Sequence, residues 1–215
     1  MIILAFDCSS LMSIALMKNG KIIDEKYFPQ NSSHSEKLVS ELKNIINSHN
    51  LTFKEVDLFV ANNGPGGYTG IRVALAVLKM LKISFDKPCL TLNSFEILSY
   101  KYRHQKANLQ VAISGNINEI FFSKYRFINN DFIEEAPQLL TDYQTINQQL
   151  NIDDFICGSA NKLFIEHQNK SNEDDNNMVC EMTNLALKIF KNQPQRCNQE
   201  ILPLYLREPK ITAKK

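Results

Sequence analysis

The stretch ANNGPGGYTGIRVAL, residues 61–75, holds four of the chain's seven glycines between Gly64 and Gly70. An apolar run, DLFVAN (57–62), precedes it, and the helical pattern IRVALAVLKMLKISF (71–85) follows. A strand, a glycine turn and a helix in that order can cradle a phosphate, pack a tight corner or launch a docking helix. The P-loop pattern GxxxxGK[ST] fails, because Thr69-Gly70-Ile71-Arg72 supplies neither the lysine nor the hydroxyl after it. The dinucleotide pattern GxGxxG fails too, with Thr69 at the third glycine. The residues themselves predict a strand-to-helix turn, with Gly66 and Gly67 at positive φ and Thr69 capping the helix through its hydroxyl.

The helix after the turn is apolar on nearly every side. From residue 71 to 83 only Arg72, Lys79 and Lys82 are strongly polar. Such a helix must be buried on nearly every side, and a two-layer lobe covers only one. Either a second lobe or another protein covers the rest.

Outward from this point, IILAFD, MSIALM and KIIDEKYF read as three short strands, the last two joined by the type I′ hairpin signal Asn19-Gly20. Ser33 and Glu36 have capping-box spacing, and Leu38, Leu42 and Ile45, with Val39 and Ile46 beside them, form one apolar stripe on the helix they open. CLTL (89–92) and SFEILSYKYR (94–103) add a strand and a helix. From Leu109 the pattern restarts with LQVAIS, EIFFSKYRF, IEEAPQLLT and DFICGSA as strands, then a polar loop (168–177) and a helix over residues 180–191. The expected architecture is α/β, with two lobes of mixed sheet packed with helices, residues 1–105 and 106–215.

At 215 residues with 24 Lys and Arg against 23 Asp and Glu, no strong field draws the whole chain to nucleic acid or an anionic membrane. Any RNA contact must be local or shared with a partner. No segment reaches the apolar length of a membrane span, the apolar N-terminus has no basic leader, and five scattered cysteines without a CxxC pair fit reduced thiols in the cytoplasm.

Asp7, followed by Cys8, Ser9 and Ser10, stands where actin-like ATPases carry an acidic residue and a phosphate hairpin. The same residues make an Asx or serine turn, and Leu4 to Lys18 contains no glycine. His34 opens a helix, but positions 37 and 38 are Lys and Leu, so no second metal ligand lies on its face. The closing LYLREPKITAKK carries Arg207, Lys210, Lys214 and Lys215 against Glu208, a solvated terminus or a weak phosphate contact.

FDCSS, HSEKL, NNGPGGYTGIRVAL, LNSFEILS, the GSA turn at 158–160 and LPLYLRE together resemble the bacterial TsaB family of tRNA threonylcarbamoyladenosine biosynthesis proteins. The resemblance covers nearly the whole chain. It implies a fold of the actin and heat-shock-chaperone ATPase (ribonuclease H-like) type, close to the catalytic subunit TsaD but without its active site. The relative holds its metal with His-x-x-x-His, where this chain has His34 and Leu38. It further implies a non-catalytic scaffold that docks TsaD through its N-lobe helices and helps recruit the ATPase TsaE. The complex adds threonylcarbamoyl to the adenosine beside the anticodon of tRNAs reading codons that begin with A. ATP and a metal ion then act through the partners, no cofactor being bound by this chain alone, and tRNA is met through the complex. An exposed apolar helix also suits a homodimer of the isolated chain.

The expected partner surface comprises His34, Leu38, Gly64, Gly66, Gly67, Tyr68, Thr69, Gly70, Arg72, Leu75, Leu78, Lys79 and Lys82, with Asp7, Ser9 and Ser10 marking a vestigial nucleotide cleft. The family's serine and phenylalanine after GPG are Gly67 and Tyr68 here, and its later glycine is Ala74. Its Asp-Ala-Arg run in the second lobe is Ser114-Gly115-Asn116. The rival class is an actin-like small-molecule kinase or ATPase that binds nucleotide itself; a metallopeptidase would need metal ligands the spacing does not supply.

Overall fold

The computed structural model describes residues 1–29, 34–105, 108–115, 118–128, 131–171, 175 and 177–206. Three strands, β1 (Ile2–Asp7), β2 (Ser13–Lys18) and β3 (Lys21–Tyr27), form the antiparallel meander that the hairpin signal predicts. Asn19 and Gly20 both take positive φ, 54° and 79°, as a type I′ turn requires. β1 then pairs in parallel with β4 (Leu58–Asn62), and β4 with β5 (Cys89–Leu92), giving the order β3-β2-β1-β4-β5. Every β1 residue is buried, Ile2, Leu4 and Phe6 toward one helical layer and Ile3 and Ala5 toward the other. This two-sided burial explains a run that is continuously apolar rather than alternating.

Two helices, α1 (His34–Ser48) and α2 (Tyr68–Phe85), cover the first face. Leu38, Leu42, Ile45 and Ile46 of α1 meet Ile71, Ala74, Leu75, Leu78 and Leu81 of α2 over that face. Val39, expected beside the α1 stripe, instead stands 45% exposed, because its position turns away from both the sheet and α2. The Ser33–Glu36 capping pair and the side chain of His34 lie outside the described residues, as do residues 207–215.

The second sheet repeats the plan. β6 (Leu109–Ser114), β7 (Ile120–Ile128) and β8 (Asp131–Thr141) are antiparallel, β9 (Phe155–Cys157) joins β6 in parallel, and the order is β8-β7-β6-β9. A short helix, α4 (Tyr143–Asn147), contributes Ile146 to the small core on its outer face. The two mixed sheets with their helices match the α/β class, two lobes of mixed sheet packed with helices, expected from the sequence.

Between the sheets lie α3 (Ser94–Lys101) and α5 (Val179–Asn192). Phe95, Leu98, Met182, Leu185 and Ile189 form one core with Ile3, Val60 and Leu90 of the first sheet and Val111 and Tyr125 of the second. α5 packs on β1, β2 and α3. A boundary near residue 105 therefore separates the sheets but not the cores, and residues 179–192 belong with the first sheet rather than the second lobe. The eight-residue α3 is too short to cover that face alone. A buried carboxylate ties the halves together: Asp175 accepts from Lys101 Nζ at 3.0 Å, Tyr102 hydroxyl at 2.6 Å, Gly158 N–H at 2.6 Å and Ser171 hydroxyl at 2.9 Å.

Candidate docking surface at the glycine turn

β4 ends in Asn62, and the chain turns through Gly64 at φ +107°. Gly64 is the one glycine of the turn at positive φ; Gly66 and Gly67, expected there, are not. Their glycine identity answers a different need. A Cβ at Gly66 would fall 2.5 Å from the Ser9 carbonyl oxygen, and one at Gly70 would run into the Cys8 carbonyl oxygen. The turn lies directly on the backbone after β1, and the Gly67 N–H donates to the Ser9 carbonyl at 2.5 Å. Gly67, not Thr69, is the residue that caps α2, without a side-chain cap bond. Thr69 already lies inside the first turn, with its side chain exposed.

Beneath the turn a polar cluster is closed on itself. Asp7 Oδ1 accepts the Ser9 N–H at 2.7 Å. Asn62 Nδ2 lies 3.1 Å from Asp7 Oδ2 and 3.0 Å from both the Ser9 and Ser94 hydroxyls. Asn62 Oδ1 accepts the Gly64 N–H at 2.8 Å, and Ser94 hydroxyl donates to the Pro65 carbonyl at 2.9 Å. Asp7, Ser9, Asn62 and Ser94 are all buried. Burial is the largest influence on Asp7 and raises its carboxyl above the usual range, against the bonds from Ser9 and Asn62. The Asx turn of the sequence reading is present, and the Asp7 and Ser9 side chains point into this cluster. Ser10 is exposed.

α2 has two unlike faces. Ile71, Ala74, Leu75, Leu78 and Leu81 are buried in their own lobe, so Leu75 and Leu78, expected at a partner interface, are core residues. Leu38 of α1 is likewise fully buried. The outward positions are Ala76, Met80 and Ile83, with Met80 41% and Ile83 83% exposed, while Val73 and Val77 at the edge are half-buried and pack partly against their own core. Arg72 and Lys79 flank them exposed, and Lys82 is half-buried. Periodicity marked this helix as apolar all round but could not say which half faced out.

The turn also meets the end of the described chain. Leu204 N–H donates to the Asn63 carbonyl at 2.8 Å, and Asn63 Nδ2 to the Leu202 carbonyl at 3.0 Å. Tyr68 stacks on Tyr205, a residue that the quoted LPLYLRE contained without any role assigned. Among the described residues no helix is long and apolar enough to cross a membrane, and no three His, Cys, Asp or Glu side chains group as a metal site would need.

Comparison with known proteins places this geometry. The family model described as TsaD: tRNA N6-adenosine threonylcarbamoyltransferase matches residues 22–205. The tRNA threonylcarbamoyladenosine biosynthesis protein TsaB of Haemophilus influenzae is 26% identical over 99% of this chain and 96% of its own. The protein of the same name from Bacillus subtilis is 26% identical over 64% of this chain and 60% of its own. The solved structure of YeaZ from Pseudomonas aeruginosa shares the fold with a TM-score of 0.78, at 20% identity, over 95% of this chain and 99% of that one. The chain therefore belongs to the TsaD family of tRNA N6-adenosine threonylcarbamoyltransferase-like proteins, and within it to the TsaB group.

Proposed function

We propose that this chain is a non-catalytic scaffold subunit of a cytoplasmic complex that forms N6-threonylcarbamoyladenosine beside the anticodon of tRNAs reading codons that begin with A. The observation that carries the reading is the outer face of α2. Ala76, Met80 and Ile83 stand exposed along it, edged by the half-buried Val73 and Val77, the kind of apolar face that a partner helix covers. The partner is the catalytic paralogue TsaD, and the assembly recruits the ATPase TsaE. In the absence of TsaD the same face suits a homodimer.

Two features favour a supporting rather than a catalytic role. Leu38, where the catalytic relative would carry its second histidine, is buried in the core. The Asp7 and Ser9 side chains are engaged with Asn62 and the turn, leaving them poorly suited to hold a nucleotide phosphate. ATP and the metal are accordingly assigned to the partner subunits.

The test is nucleoside mass spectrometry on unmodified tRNA incubated with TsaD, TsaE, ATP and threonylcarbamoyl-adenylate, with and without this chain. Modified adenosine is expected only in its presence. Equal yield without it would overturn the scaffold role.

A further inference from the structure

A cleft of about 380 Å³ opens where α3, α5 and the second sheet meet. Neither the glycine turn nor the Asp7 cluster lines it. Glu96, Tyr100 and Arg103 face it at helical spacing from α3 and the turn that follows, and Leu185, Ile189 and Asn192 face it at the same spacing from α5. Its third wall is the cross-strand pair of Tyr125 on β7 and Glu134 on β8. Leu185, Ile189 and Tyr125 are buried and give the cleft an apolar floor.

Charges of both signs reach this cleft without cancelling. The Arg103 guanidinium lies 4.0 Å from the centre of the Tyr100 ring and donates to the Tyr100 carbonyl at 2.7 Å. It forms no ion pair among the described residues. Arg196, from the turn after α5, donates to Glu96 Oε1 at 2.8 Å, and Glu96 Oε2 accepts the Asn93 N–H at 3.0 Å. Glu96 is thereby engaged on both oxygens and holds Arg196 in place, with guanidinium N–H groups to spare. Glu134 accepts the Ser123 hydroxyl at 2.9 Å through Oε1, while its Oε2 takes no hydrogen bond among the described residues. Burial first, and then the negative charges of Glu134 and Glu96, raise the Tyr125 hydroxyl above its ordinary range, so both carboxylates lie close to the floor. Lys188 adds a positive charge at the exposed rim.

We infer that this cleft binds a small zwitterion of the amino-acid class, its carboxylate on Arg103 and Arg196, its ammonium on Glu134 and its apolar side chain on Leu185 and Ile189. Arg103 and Glu134 line one cavity and do not pair, which is complementary to a ligand that carries both charges itself. A planar guanidinium matches a carboxylate with two parallel hydrogen bonds, and a carboxylate with one oxygen unengaged accepts an ammonium. Ligand cavities run from about 300 Å³ upward, and this one suits a free amino acid or a dipeptide. Such a site is independent of whether the chain docks TsaD.

The experiment is titration of the full isotope-labelled chain with L-leucine and with glycyl-L-leucine, followed by amide NMR shifts. Saturable shifts are expected around Tyr100, Arg103, Asn192 and Gln193, and the tighter ligand shows whether one residue or two fill the site. Its N-acetylated form, which lacks the ammonium, and its C-terminal amide, which lacks the carboxylate, are each expected to bind at least about tenfold more weakly, as loss of one hydrogen-bonded charge does. Arg103→Gln is expected to weaken the zwitterion about tenfold and leave the amide form unchanged, and Glu134→Gln to weaken it about tenfold and leave the N-acetylated form unchanged. Glu134 is exposed and glutamine keeps an oxygen for Ser123, so this variant stays readable if Arg103→Gln loses stability.

The absence of any saturable shift up to about 10 mM of either ligand overturns the site, as do shifts that map outside the cleft. A capped form that binds as well as the zwitterion shows a site for one charge only and overturns it too. Wild-type affinity in both Arg103→Gln and Glu134→Gln has the same effect. The titration contains no TsaD, TsaE or tRNA, so a negative result leaves the scaffold reading standing, and failure of the scaffold reading leaves this site untouched.

Discussion

Ser9 and Gly66 meet backbone to backbone: the Ser9 carbonyl oxygen occupies the place where a side chain at residue 66 would begin, 2.5 Å from an ideal Cβ, and accepts the next N–H of the turn. Gly66→Ala must push the turn off the strand end, and overpacking of this kind costs about 1–3 kcal/mol. Gly70→Ala, against Cys8, is expected to cost at least as much. Gly67→Ala, whose Cβ would stand 3.2 Å from the same oxygen, should cost less than either. Urea unfolding of the three variants gives the order, and a Gly66→Ala protein as stable as wild type would contradict the close approach.

The carboxyl of Asp7 is raised by burial, so the folded chain keeps a proton at pH values where the unfolded chain has lost it. Stability from this group is complete below the ordinary carboxylate value of 3.8 and declines as pH rises through the raised one. Asp7→Asn removes that slope. It also turns an amide toward the Asn62 amide, at a cost of about 1–3 kcal/mol for an unsatisfied buried donor. Unfolding free energies of the two proteins should differ most in acid and converge toward neutrality. A difference independent of pH would show that Asp7 does not titrate abnormally.

Asp175 gathers donors from α3, from the turn after β9 and from its own loop. Asp175→Asn takes the ion pair from Lys101, whose side chain is only 11% exposed, and removing one partner of a buried pair costs about 3–5 kcal/mol. Hydrogen exchange should quicken at the Gly158 amide in particular. Protection at Gly158 equal to wild type would mean that the carboxylate does not hold the halves together.

Met80 and Ile83 point away from their own lobe, so charge placed there should leave the fold alone. Met80→Lys and Ile83→Glu are expected to change unfolding free energy by no more than about 0.5 kcal/mol, as surface substitutions do, and to abolish co-elution with TsaD. Leu78→Ala, by contrast, removes a core side chain and should cost about 2–5 kcal/mol. Intact complexes with both charged variants would move the docking surface elsewhere.

Much of the first lobe could be read directly from its residues. Asn19-Gly20 fixed a hairpin because few other residues accept two positive φ angles in succession, and IILAFD was legible as a strand, though its burial on both faces came only with the two helical layers. The turn was located correctly but its glycines were misassigned, since local propensity sees φ preferences and not the Ser9 and Cys8 carbonyls that arrive from more than 50 residues away. The same limit hid Asn62 and Ser94, polar residues inside otherwise apolar motifs, whose partners are brought together only by strand pairing. On α2 the surplus of apolar positions was visible, but the division between Leu75 and Leu78 inside and Met80 and Ile83 outside depends on where the sheet and α1 lie. Tyr205 gave no signal at all until its ring was found on Tyr68.

The placement of α5 has a consequence for the order in which this protein can come into being on the ribosome. β1 and β4 are synthesised before the helix that covers their inner faces, Val179–Asn192, which lies more than 100 residues downstream of both. Until α5 is made, Ile3, Ala5, Val60 and Leu90 lack its cover. The first sheet therefore reaches its native packing only after residues 179–192 have been made, although its strands β1, β4 and β5 precede them by more than 80 residues.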